Sequence, residues 1–293
     1  MGDLMFVACI VTFNPCIRRL TENISTILPQ VDTLLIIDNG SENINEIQIA
    51  CIPYNNIHMI CNGRNLGISK ALNQACDMAS QLGAEWILTL DQDSVCTSNI
   101  IKKYEDYIHN NKDNNSLASL TCHMNDRSLS DFSITDTREV EVDFCITSGN
   151  YIKIDVWRNL GKFDNSLFID KVDTDYCYRL IVNAYKIIEL PFYGLLHEIG
   201  SNSKRYKFFG KEFIVFNHTP FRCYFIIRNQ IYFARKHRKT MGLLKCLRYQ
   251  LTAWTRIFIY IFFETDKMAK IKAWARGIYN GYIMPCEDET IKC

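Results

Sequence analysis

The chain predicts an α/β fold, with a mostly parallel central sheet flanked by helices and a helical C-terminal extension. Three observations carry this expectation. Strand-like and helix-like segments alternate up to about residue 100. One of them, Trp86-Ile-Leu-Thr-Leu-Asp91, is an apolar strand that runs into a pair of carboxylates, Asp91 and Asp93. From Phe221 to Gly281 the pattern is mostly helical, rich in aromatic and basic residues. Strands alternating with helices build parallel sheets through right-handed crossovers.

The elements follow in order. Phe6–Thr12 is β-branched and apolar, and reads as a buried strand. Ile17 to Leu28 has helical spacing and stops at Pro29. Thr33–Ile37 is a second strand, ended by the turn signal Asp38-Asn-Gly-Ser. Ile57–Cys61 is a third. Ile68, Ala71, Leu72, Ala75, Met78, Ala79 and Leu82 recur at helical spacing, and Gly83 supplies a C-cap. The strand ending at Asp91 comes next. Residues 101–140 read as one helix followed by loops, Val140–Ile146 as a strand, and Ser148-Gly-Asn as a turn. Tyr151–Leu160 reads as strand into helix, Asp173 to Ala184 as helix, and Ile187–Leu190 as a strand closed by Pro191. There is no internal repeat.

With 293 residues the chain can bury a large core. It has 13 cysteines, an odd number with no Cys-x-x-Cys pair, which excludes a zinc ribbon and a complete disulfide framework. Thiols scattered among apolar runs suit a reducing cytosol. No basic region with a cleavage site opens the chain, and no apolar run reaches the ~18–20 residues that span a bilayer. A cytoplasmic location is therefore expected. Charge is divided unevenly. Residues 1–200 carry 15 Lys and Arg against 26 Asp and Glu, whereas residues 201–282 carry 17 against 3. A basic, aromatic segment on an acidic body points to an anionic surface as partner.

Chemistry concentrates at strand ends. Asp91 and Asp93 stand where the chain leaves a buried strand, on the sheet edge where α/β folds bind ligands. Two hard oxygen donors there suit a divalent cation, and such a cation suits a diphosphate. Asp38 ends the second strand, where a carboxylate serves a base or ribose, or caps a turn. The run Asn62-Gly-Arg-Asn65-Leu-Gly67-Ile-Ser-Lys-Ala71-Leu-Asn73 leads into a helix, with Gly67 allowing close backbone approach and the helix N-terminus favouring an anion. Further on, Asp170-Lys-Val-Asp173-Thr-Asp175-Tyr-Cys-Tyr-Arg179 precedes Gly194-Leu-Leu-His197-Glu-Ile-Gly200.

In this order and spacing the chain resembles the inverting GT-A glycosyltransferases of family 2, and within them the bacterial rhamnosyltransferase branch that builds O-antigen and related polysaccharides. The matching blocks are Val11-Thr-Phe-Asn-Pro15, Ile37-Asp-Asn-Gly-Ser41, Asn65-Leu-Gly67, Leu90-Asp-Gln-Asp-Ser94, Phe168–Arg179 and His197–Gly200. Tyr224-Phe-Ile-Ile-Arg228-Asn229 matches a late motif of the branch. The resemblance covers about residues 5–240 and implies a GT-A catalytic domain over residues 1–220. About 1–100 would serve the nucleotide sugar and about 101–220 the acceptor, with a helical segment over 221–293.

The resemblance also implies roles. Thr12 and Asp38 would contact the nucleotide base, and Asn65 and Gly67 would border the nucleotide. Asp91 and Asp93 would hold a divalent cation, Mg²⁺ or Mn²⁺, assisted by His197. Asp173 would be the general base. Many relatives carry an acidic residue where this chain has Val172, so Asp170 or Asp175 could share that task, with Asp173 preferred. Arg179 falls at the donor-binding end of its motif or pairs with a helix-borne carboxylate. The donor expected is dTDP-β-L-rhamnose and the acceptor a lipid-linked saccharide. Another nucleotide hexose of the UDP-glucose or UDP-galactose type is the alternative donor, and a non-catalytic nucleotide-binding module is the alternative class.

Inverting transfer displaces the diphosphate in line at the anomeric carbon, and the acceptor hydroxyl loses its proton as it attacks. A carboxylate that takes this proton contributes on the order of 10²–10⁴-fold. In the C-terminal segment, Leu243–Tyr282 mixes Trp254, Phe258, Phe262 and Trp274 with Lys and Arg. A helix of this kind can lie on the inner face of the plasma membrane, where each basic residue near an anionic surface contributes ~1 kcal/mol. It can equally pack on the catalytic domain or in a homo-oligomer. No nucleic-acid motif accompanies the basic residues, so nucleic acid is not an expected partner.

Overall fold

The computed structural model describes residues 5–126, 138–197, 204–208 and 211–286. Two compact units emerge from the packing, one of Met1–Phe168 and Val172–Ile199, the other of Ile169–Lys171 and Gly200–Cys293. The packing thus changes units near residue 200, ahead of the compositional change at Phe221.

The first unit holds a nine-stranded sheet. Its parallel half uses β1 (Val7–Thr12), β2 (Thr33–Asp38), β3 (Ile57–Cys61) and β4 (Trp86–Asp91). Between them lie α1 (Ile17–Ile27), α2 (Ile44–Cys51) and α3 (Ile68–Gln81). Every residue of β1 and β2 is buried, because helices cover both faces of a parallel sheet. That explains the unbroken apolar runs. A short 3₁₀ turn at Leu28–Gln30, begun by Pro29, ends α1.

The mixed half comprises β5 (Val95–Cys96), β6 (Leu117–Asp126), β7 (Val140–Val142), β8 (Asn150–Lys153) and β9 (Lys186–His197). The strand order is β3-β2-β1-β4-β8-β6-β9-β5, with β7 also on β9. β8 runs antiparallel to both β4 and β6, whereas β6 and β9 are parallel. Helices α4 (Ile100–Asn110), α5 (Ile154–Asn159) and α6 (Val172–Val182) complete the unit. A stack of Trp86, Tyr151 and Tyr104, with centroids 5.5 and 5.4 Å apart, ties β4 and β8 to α4.

Three sequence expectations change here. Leu117–Asp126, read as loop, is a ten-residue strand. Its segment Leu117-Ala-Ser-Leu-Thr-Cys122 is buried throughout but poor in β-branched residues, and its partners arrive far later in the chain. The strand expected to close at Pro191 continues to His197. Cys122 pairs with Leu190 and His123 with Tyr193, so Pro191 and Phe192 form a bulge that absorbs the missing proline N–H. Val140–Ile146, in turn, is strand only as far as Val142.

The second unit contains a hairpin of β10 (Lys204–Phe208) and β11 (Lys211–Val215), then α7 (Pro220–Lys236), α8 (Arg238–Met241), α9 (Leu243–Phe262) and α10 (Lys267–Ile283). Thr219 caps α7 by accepting from Arg222 N, with Pro220 at the first helical position. Its core gathers Cys223, Ile227 and Ile231 of α7 with Ala253 and Tyr260 of α9 and Ala273 and Ile278 of α10. Gly277 and Gly281 let α10 approach α7, since a Cβ at either would stand 2.9 Å from a carbonyl oxygen, of Tyr224 or of Arg228. Among the described residues no helix is long and apolar enough to cross a membrane.

Candidate active site

Strand order reverses at β1, which has β2 on one side and β4 on the other. A crevice opens at the C-terminal edge of such a switch point. Register brings the expected residues together there. Thr12 pairs with Asp38, and Val11 pairs with Asp91.

Asp38 is 1% exposed and organises the first loop. Its Oδ1 accepts from Thr12 Oγ1 at 3.0 Å and Ser41 Oγ at 2.5 Å, and its Oδ2 from Gly40 N and Ser41 N. Thr12 is fully buried. Beside this loop, Asn39 donates to Gly67 O and accepts from Asn62, whose amide also pairs reciprocally with Gln74. Gly40, at φ +81, lies against Arg64, where a Cβ would stand 2.5 Å from the Arg64 Cα. The Asp38 loop and the Asn62–Gly67 loop therefore fit as one surface.

The close approach at Gly67 serves a purpose the sequence did not suggest. A Cβ there would stand 2.7 Å from Phe168 O, and Ile68 N donates to that same oxygen at 2.8 Å. The start of α3 thus receives the 157–168 segment, while Asn65 Oδ1 accepts from Gly67 N at 2.9 Å. Ser69 Oγ donates to Leu167 O. Asn73 makes four bonds: its Nδ2 donates to Phe163 O and Asn165 Oδ1, and its Oδ1 accepts from Phe163 N and Trp157 Nε1.

Asp91, Gln92 and Asp93 are half-buried at the exit of β4. The backbone of this turn is held from several sides. Asn23 of α1 donates to Asp91 O at 2.8 Å, and Phe13 N donates to Gln92 Oε1 at 2.8 Å. Ser148 Oγ accepts from Asp91 N at 3.1 Å and donates to Ser94 Oγ at 2.8 Å. Ser148 belongs to Thr147-Ser-Gly-Asn150, whose Gly149 N donates to Thr89 O. Asn23, Gln92, Ser148 and Asn73 all shape the site and were missed. Gln92 and Asn73 stood inside the Leu90–Ser94 and Asn62–Asn73 runs without a role, and the turn signal marked Ser148, whereas nothing marked Asn23.

Helix α6 separates its two carboxylates. Asp173 is half-buried in the first turn, its Oδ1 accepting from Thr174 N at 2.7 Å. Asp175 is fully buried and its Oδ2 takes a 2.9 Å bond from Arg179 Nε. Arg179, 4% exposed, also donates to Leu160 O and Lys162 O. Asp175 and Arg179 therefore tie α6 to the 160–162 turn. In the second unit, Asp170 and Lys171 both adopt positive φ, at 62° and 68°, and Asn229 Nδ2 holds the carbonyls of Ile169 and Asp170. His197 ends β9 in register with Asp126; its side chain and residues 198–200 lie outside the described residues.

Among the described residues no three His, Cys, Asp or Glu side chains converge as a cation cage. Asp91 and Asp93 are the carboxylates at the exit of β4. One or two carboxylates completed by phosphate and water oxygens is how Mg²⁺ is commonly bound, so the donor set fits a cation brought together with a diphosphate. The thiols nearby stay neutral. Burial pushes Cys9 up to about 12, the Asp91 charge adding to the shift, and burial pushes Cys122 to about 11. Every cysteine from Cys9 to Cys246 carries a free thiol.

A doubly wound sheet with paired carboxylates at its switch point is the architecture of nucleotide-sugar enzymes of the GT-A type. The model for "Glycosyl transferase family 2" matches residues 7–166, and the chain belongs to that family; it is a glycosyltransferase. Among curated proteins it is 30% identical over 244 residues to the dTDP-rhamnosyl transferase RfbF of Shigella flexneri, covering 78% of this chain and 80% of that one. Among solved structures it resembles S. aureus TarS 1-349, with a TM-score of 0.61 and 13% identity over 94% of this chain and 81% of that one. GalNAc-T7 with UDP, GalNAc and Mn²⁺ is a further neighbour, with a TM-score of 0.56 and 13% identity over 97% of this chain and 59% of that one. At these identities the solved structures speak for the fold.

Proposed function

We propose that the protein moves L-rhamnose from dTDP-β-L-rhamnose, with inversion, onto a hydroxyl of a lipid-linked oligosaccharide in cell-surface polysaccharide synthesis. The observation that carries this reading is the 30% identity to a dTDP-rhamnosyl transferase along 78% of the chain. The site geometry supports it. Thr12 and Asp38 form the wall for the base, and Asn65 and Gly67 border the nucleotide. Residues up to about 100 serve the donor, and those from about 101 serve the acceptor.

Asp91 and Asp93 would hold a divalent cation, Mg²⁺ or Mn²⁺, with His197 as the further candidate ligand. When bound, such a cation offsets the charge that builds on the departing diphosphate. Asp173 accepts the proton of the attacking hydroxyl. Its half-buried place at the start of α6 leaves it accessible, whereas Asp175 acts through Arg179 to fix the helix. Asp175 and Arg179 are thus positioning residues in this reading. A lipid-linked acceptor would bring the enzyme to the inner face of the plasma membrane as a peripheral protein.

Release of nucleoside diphosphate from a donor panel, with and without Mn²⁺ or Mg²⁺, tests the reading. dTDP should appear from dTDP-rhamnose, faster with acceptor and only with metal. UDP released instead from UDP-glucose or UDP-galactose would replace the donor. No release from any donor would favour a nucleotide-binding module.

A further inference from the structure

Helix α9 has two faces of opposite character. Cys246, Ala253 and Tyr260, spaced seven apart, are buried. On the opposite side, Leu244, Leu247, Leu251, Trp254, Phe258 and Phe262 recur every three or four residues and so share one stripe. All six are exposed, Leu244 at 84%, Leu251 at 63% and Phe262 at 68%. No charged residue interrupts the stripe, while Arg248 stands on its flank. Neither α9 nor α10 contains an Asp or Glu, although basic residues recur along both.

Charge decides what covers this stripe. A second copy would bring its own basic segment, since residues 201–282 hold 17 Lys and Arg against 3 Asp and Glu. Like charges would then face each other around the seam. An anionic bilayer supplies an apolar phase for the stripe and opposite charge for its flank. A 20-residue helix is about 30 Å long, but α9 is not apolar enough to cross, which leaves it lying in the plane.

We propose that α9 lies flat on an anionic lipid bilayer, its Leu244–Phe262 stripe among the acyl chains and Arg248 at the headgroups. This rests on the reading of a lipid-linked acceptor and names the helix face that meets the membrane carrying it. The test uses the full chain and is read without turnover, so its failure is separate from failure of the transferase reading. Protein is sedimented with vesicles of phosphatidylethanolamine and phosphatidylglycerol, or of phosphatidylcholine alone. The wild type should partition onto the anionic vesicles, and added salt should weaken this. Leu251→Glu with Phe258→Glu should lower partition at least tenfold with the melting temperature unchanged. Arg248→Glu should lower binding to anionic vesicles and leave the stripe intact. Wild type that ignores both vesicles, or variants that partition as the wild type does, would overturn the proposal. So would a dimer that Leu251→Glu with Phe258→Glu splits into monomers while vesicle binding persists.

Discussion

The turn after β4 and the first turn of α6 carry the same motif, Asp-x-Asp, and use it in opposite ways. At Asp91-Gln-Asp93 both carboxylates are half-buried, and the backbone between them is anchored by Asn23, Gln92 and Ser148. On α6, residues two apart point to opposite sides of the helix. Asp173 stays accessible and Asp175 turns inward to Arg179. A turn can offer two carboxylates to one cation. A helix divides the same pair into one accessible group and one that holds the element in place.

That contrast can be broken by substitution, and the largest effect is expected at the accessible helix carboxylate. Asp173→Asn should lower kcat by about 10²–10⁴-fold while donor binding changes little. Normal turnover in this variant would remove Asp173 from the base role. Next comes its buried counterpart. Arg179→Met removes the ion pair to the buried Asp175, and breaking a buried pair typically costs about 3–5 kcal/mol. Denaturant melts should register that loss. Unchanged stability with a raised donor KM would instead make Arg179 a donor contact.

A smaller loss is expected at the strand exit. Asp93→Ala should lower turnover by roughly 10²-fold, since the cation's charge stabilisation is worth several kcal/mol. The melting temperature should hold, because the anchors of this turn bond Asp91, Gln92 and Ser94. Turnover that no longer responds to added Mn²⁺ would sharpen the comparison, and a wild-type metal response would sink it.

The smallest effect lies away from both pairs. Burial raises the Glu105 carboxyl above its usual 4.5, although a 2.6 Å bond from Tyr151 OH opposes the shift. A raised folded value means stability is fully present below 4.5 and is lost as pH rises through the folded value. Glu105→Gln should flatten stability against pH in that window. An unchanged slope would show that other groups set it.

Much of this was legible in the sequence for a physical reason. Strands β1, β2 and β4 are buried on both faces and joined by short crossovers, so their apolar runs and turn residues lie close together. The carboxylates were legible because strand ends are where α/β sheets place polar groups. β6 was hidden because Leu117-Ala-Ser-Leu-Thr-Cys122 gains its hydrogen bonds from β9, more than sixty residues on. β9 was cut short at Pro191 because only a bulge, invisible in a single strand, accommodates that residue. Asn23, Asn73 and Ser148 work through contacts 57 to 90 residues away, a distance over which spacing carries no signal.

Helix α3 has a consequence for anyone who recombines such enzymes. Gly67, Ser69 and Asn73 are cut to the shape of residues 157–168, through backbone carbonyls and one indole N–H. A chimaera with its crossover anywhere between α3 and α5 would separate the socket from its plug and strand several amide and carbonyl groups away from water. Exchange of the 157–168 segment between relatives therefore calls for two inherited blocks, with α3 travelling alongside the distant segment it clasps.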